Sequence, residues 1–78
     1  MWQQLATLGY RGYLIRLDWD EGRGLARFAV SRNESAGPVL IRETTIPGTF
    51  TQEKSAVAAA RRYARAYVDR LPARTPVH

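Results

Sequence analysis

Thr51-Gln52-Glu53-Lys54-Ser55-Ala56-Val57-Ala58-Ala59-Ala60-Arg61-Arg62-Tyr63-Ala64-Arg65-Ala66-Tyr67-Val68-Asp69-Arg70-Leu71-Pro72 is the stretch that decides the fold. It holds six alanines between Thr51 and Leu71, so helix propensity is high along its length. Thr51 is an N-cap residue type, and Glu53 puts an acid in the first turn. Pro47-Gly48 marks a turn upstream, and Pro72 stops the helix after Leu71. The span 51–71 would be about 30 Å long at 1.5 Å per residue. At 100° per residue, Ala56, Val57, Ala60, Ala64, Tyr67, Val68 and Leu71 share one face, which is expected to meet the core. Lys54, Arg61, Arg62, Arg65 and Asp69 fall opposite. Tyr63, Ala59, Ala66 and Arg70 lie on the flank.

Upstream the period changes from 3.6 to 2. In Tyr13-Leu14-Ile15-Arg16-Leu17-Asp18-Trp19 the residues Tyr13, Ile15, Leu17 and Trp19 alternate with mostly polar neighbours, the pattern of a half-buried strand. Asp20-Glu21-Gly22-Arg23 reads as a turn. The second strand is Leu25 to Arg32, with Ala26, Phe28 and Val30 inward. A second turn covers Asn33 to Pro38. The third strand runs from about Val39 to Ile46. Setting Val39 and Ile41 inward leaves Arg42 outward and avoids burying an unpaired guanidinium. A turn at 20–23 pairs Leu17 with Ala26, Ile15 with Phe28, and Arg16 with Arg27. The inward sets then match.

The expected fold is therefore α+β: a three-stranded antiparallel meander packed on one long C-terminal helix (βββα). Residues 1–9 are expected to be a lead-in or a short helical turn. Residues 10–71 form the single domain, and residues 72–78 a flexible tail. With 78 residues the chain has room for one thin core. Domains of this size often gain stability by pairing.

The chain has no cysteine, and its one histidine is His78. No thiolate nucleophile, no histidine-based catalytic pair, no zinc site and no phosphate-cradling glycine loop can be assembled, so the reading is non-catalytic and without cofactor or metal. Asp18, Asp20 and Glu21 cluster at a turn, where acids ordinarily serve the turn itself. The N-terminus lacks the charged and apolar regions of a signal peptide. No stretch is apolar for long enough to span a bilayer, so a cytoplasmic location without membrane contact is expected.

Twelve basic residues oppose seven acidic ones, for a net charge of +5. Residues 1–31 carry four arginines against three acids (+1), and residues 32–50 two against two (zero). Residues 51–78 carry six basic residues against two acids (+4). A basic excess so placed favours a polyanion partner, either nucleic acid or an acidic protein. Two surfaces are candidates for contacting it. One is the helix stripe Lys54, Arg61, Arg62 and Arg65. The other is the outer sheet face, where Arg16, Arg27 and Arg42 are expected side by side across the three strands. The ordinary alternative for both is a solvated charged surface. Tyr13, Trp19 and Phe28 fall on the helix-facing side, so the sheet offers no aromatic platform for stacking bases. Leu14, Leu25 and Leu40 on the outer face are expected to be exposed, and with an open strand edge they give a homodimer or adaptor surface as the rival reading.

Gly12-Tyr13-Leu14-Ile15, Val39-Leu40-Ile41-Arg42 and Phe50-Thr51-x-Glu53, leading into an Ala-rich helix that ends Tyr67-Val68-Asp69, resemble small proteobacterial βββα proteins near the HlyU-type transcriptional-activator family. The resemblance covers about residues 10–70 and implies a regulatory role, with no binding residues to transfer. The strand–strand–strand–helix order also resembles the double-stranded RNA-binding domain. Gln52-Glu53 departs from that family where consecutive lysines would be expected.

Overall fold

The computed structural model describes residues 1–72. The tail reading for 72–78 therefore lies almost wholly outside the described residues. Strands β1 (Gln3–Tyr10), β2 (Tyr13–Asp20), β3 (Leu25–Glu34) and β4 (Gly37–Thr45) form one antiparallel meander in the order β1-β2-β3-β4. Helix α1 (Glu53–Asp69) follows. It packs on β3, β2 and, more lightly, β1, but makes no close backbone approach to β4.

The α+β class holds, but the sheet has four strands instead of three. Residues 3–10 are not a lead-in. Ala6, Leu8 and Tyr10 stand opposite Leu17, Ile15 and Tyr13 on the helix side of the sheet. The link to β2 is the two-residue turn Arg11-Gly12. Both residues have positive φ (52° and 86°), as a type I′ hairpin turn requires. Residues 3–10 also form a strand where a double-stranded RNA-binding domain would have its first helix.

The core lies between the sheet and α1. Ile15, Leu17 and Val30 are wholly buried, with Tyr13, Trp19, Ala26 and Phe28 around them. Burying each large aliphatic side chain is favourable by about 1.5–3 kcal/mol. The helix contributes mainly small residues, Ala56, Ala59, Ala60 and Ala64, together with Val68, so it can lie close to the larger sheet side chains. Two core aromatics have polar tips that hold the ends of the helical layer. Trp19 Nε1 donates to the Phe50 carbonyl at 3.1 Å, and the Tyr13 hydroxyl to the Pro72 carbonyl at 3.0 Å. The N-cap is Gln52, without a side-chain capping bond, one residue after the expected Thr51 cap.

Two strand details differ from the sequence reading. First, the β2–β3 register is shifted by two residues: Leu17 faces Phe28, Ile15 faces Val30 and Asp18 faces Arg27. The loop is Glu21–Gly24, because Asp20 stays in β2 and its carboxylate accepts from the Arg23 backbone N–H at 3.2 Å. A two-residue slip keeps every side chain on its face. It also exchanges a repulsive Arg16–Arg27 pair for the attractive Asp18–Arg27 pair. Second, β4 is irregular opposite Val30 and Ser31, and Ile41 is left without a partner. Ile41 packs on the core, while Arg42 stands opposite Val30, on the helix side. The expected outward Arg42 is thus wrong. Arg42 escapes burial because α1 leaves β4 uncovered.

Candidate anion-binding surface

The outer sheet face is a neutralised ion network. Asp18 is only 2% exposed there. Its carboxylate accepts from Arg16 Nε at 3.1 and 3.2 Å and from Arg27 Nε at 2.8 Å. Glu43 takes the Arg16 Nη2 at 2.5 Å and lies 3.7 Å from the Arg27 Nη1. Burial weakens the Arg16 charge, but Asp18 and Glu43 outweigh it and raise its pKa. The indole of Trp2 covers Arg27, with the guanidinium carbon 4.2 Å from the ring centre. Arg16 and Arg27, expected as phosphate contacts, are therefore committed to internal carboxylates.

The three leucines of the rival reading do not form one patch. Leu14 and Leu40 flank Ser31 in one row across the strands. Leu25 lies opposite Asp20 at the other end of β2, with the Arg–Asp network between. Leu40 is largely exposed, whereas Leu14 and Leu25 are half-buried.

The helix side is different. Arg42, Lys54, Arg61, Arg62, Arg65 and Arg70 are all exposed and have no ion-pair partner among the described residues. In contrast, Arg11, Arg16, Arg23, Arg27 and Arg32 each meet a carboxylate. Lys54, Ala58, Arg61 and Arg65 recur at helical spacing along the solvent side of α1, with Arg62 beside them. Arg61, Arg62 and Arg65 line a shallow depression with Tyr10, Ala66 and Asp69. The Arg65 guanidinium lies 5.3 Å from the Tyr10 ring centre. The Tyr10 hydroxyl (2.9 Å) and Arg11 (3.1 Å) both donate to Asp69 Oδ1, which ties the β1–β2 turn to the end of α1.

Across Ala66 the basic surface continues into a groove between α1 and β4. Phe28, Arg42, Thr44, Ile46, Tyr63, Tyr67 and Arg70 are among its lining residues. The structure thus joins Arg42 to the helix arginines and separates it from Arg16 and Arg27. The sequence reading missed Tyr63, Tyr67 and Arg70 as site residues. Their signal was present in the flank positions 63 and 70 and in Tyr67 at the edge of the core-facing stripe between them, spaced four and three apart along one side of the helix. What it lacked was the offset of α1 from β4.

Among the described residues no helix is long and apolar enough to cross a membrane, and no three His, Asp or Glu side chains group as metal ligands. Set against protein-family models, curated proteins and solved structures, the chain matches none. The HlyU-type resemblance accordingly rests on its short motifs alone.

Proposed function

We propose that this chain is a non-catalytic nucleic-acid-binding module whose contact surface is the solvent side of α1, extended by Arg42. One observation carries this reading: Arg16 and Arg27 on the outer sheet face are matched by carboxylates, whereas Arg42, Arg70 and the basic residues of α1 are not. Unmatched exposed arginines cost little in water, and neutralising phosphates with them releases counterions. Nucleic acid is favoured over an acidic protein because the exposed surface offers a row of charges interleaved with Tyr10 and Tyr63 rather than an apolar anchor. Fluorescence anisotropy with labelled DNA and RNA over a salt series tests this. Binding at low salt that weakens linearly in log salt supports it, and no binding at low salt overturns it.

A second reading, self-association or adaptor binding through the outer sheet face, is favoured by Leu40, 59% exposed on the open β4 edge in the same row as Leu14. Light scattering separates the two readings, since a strict monomer at high concentration removes homodimerisation.

A further inference from the structure

We infer that the groove between α1 and β4 receives a single unstacked nucleotide, so that this surface prefers single-stranded over duplex nucleic acid. This deepens the proposed function and rests on it. The groove exists because α1 covers β1 to β3 and stops short of β4. Its volume of about 230 Å³ lies below the roughly 300–1,000 Å³ of ordinary small-molecule sites, room for one planar ring and its attached anion. One wall carries the rings of Tyr63 and Tyr67. Tyr67 is held against Phe28, with ring centres 6.0 Å apart, and Tyr63 is 43% exposed. A base entering the groove meets two aromatic side chains, one exposed and one held against the core. Arg42 on β4 and Arg70 after α1 stand on the two sides, and neither has an ion-pair partner among the described residues. No carboxylate lines the groove. An anion joined to a flat ring meets both requirements, and in nucleic acid that unit is the nucleotide. Bases in a duplex are stacked on each other and reach Tyr63 only after unstacking. A duplex is left with the phosphate contacts of Arg61, Arg62 and Arg65.

The test uses the full chain and three labelled probes: oligothymidylate, oligouridylate and a blunt-ended two-strand DNA duplex. At one fixed salt concentration, either or both single strands should bind more tightly than the duplex, and the two single strands compared with each other report the sugar preference. Tyr63→Ala should weaken single-strand binding roughly 5- to 150-fold, the range of one lost base–aromatic stack, and weaken duplex binding at least several-fold less. Tyr63→Phe should restore it. Tyr63 is exposed on the helix, so circular dichroism should show both variants folded. Duplex binding equal to or tighter than single-strand binding overturns the inference, as does a Tyr63→Ala variant with unchanged single-strand affinity. In that event, loss of binding in Arg61→Ala or Arg62→Ala would leave the proposed function standing. Failure of all three probes removes both readings. Tighter binding of an acidic tyrosine-rich peptide than of any oligonucleotide also overturns the inference.

Discussion

Replacing Asp18 by Asn is the most informative perturbation of the sheet. Asp18 is 2% exposed and accepts three hydrogen bonds from two guanidinium groups. Asparagine keeps the volume, loses the charge, and turns an amide N–H toward cations or leaves them short of an acceptor. Hydrogen bonds to charged groups contribute about 1.5–3 kcal/mol each, and removing one partner of a fully buried pair costs about 3–5 kcal/mol. The side chains of Arg16 and Arg27 are 37% and 22% exposed and keep Glu43, so solvent and the second carboxylate reduce the loss. The expected destabilisation is about 2–3 kcal/mol. Total stability for 78 residues, at about 0.05–0.15 kcal/mol per residue, is about 4–12 kcal/mol. With a urea slope near the low end for small domains, about 1 kcal/mol/M, the unfolding midpoint should fall by about 2–3 M. Glu43→Gln, at a position more open to solvent, should cost under about 1 kcal/mol. An Asp18→Asn loss below about 0.5 kcal/mol would refute the reasoning and reopen the register in which Arg16 faces Arg27.

Gly24 has φ of +68°, and a Cβ there would lie 2.7 Å from Thr49 Cγ2. Gly24→Ala should cost about 1–2 kcal/mol from the left-handed backbone, plus the clash, in chemical denaturation. Gly22→Ala, where the nearest atom is 3.6 Å away, should be much milder. The Asp20 carboxyl, held by Arg23 and the N-terminal ammonium, is lowered from 3.8 to about 2. Because the folded value is the lower one, its stabilisation is complete above pH about 3.8 and disappears as pH falls to about 2. Thermal melts of the wild-type chain and Asp20→Asn should therefore differ at neutral pH and converge near pH 2. In single-strand titrations, Arg61→Ala and Arg62→Ala should each flatten the log-affinity against log-salt slope by about 0.7. Arg16→Ala should leave that slope unchanged, since its guanidinium is already matched.

The helix and the two central strands were legible because their apolar residues keep a strict period: Ala56, Ala60, Ala64 and Val68 on α1, and Ile15 and Leu17 on β2. The first strand was not. Its residues Gln3 to Gly9 alternate weakly, and its partnership with β2 depends on an arginine, Arg11, adopting positive φ in the turn. The β2–β3 register was ambiguous by two residues because hydrophobic pattern distinguishes faces, not steps of two. The charges decide it, since only the observed register brings Asp18 to Arg27. Arg42 was misassigned because an inward position was equated with burial; the irregularity at Ile41 and the uncovered β4 allow a core-side arginine to remain in water. The helix arginines were identifiable from spacing alone. Which arginines lack a partner was not, because that depends on contacts between strands.

The most direct test of the central claim is an amide chemical-shift titration of the isotope-labelled chain with oligothymidylate at low salt. The account predicts shifts along Ala58 to Arg70 and at Arg42, with Arg16, Asp18 and Arg27 unmoved. Shifts concentrated on the outer sheet face, or no shifts at all, would contradict it.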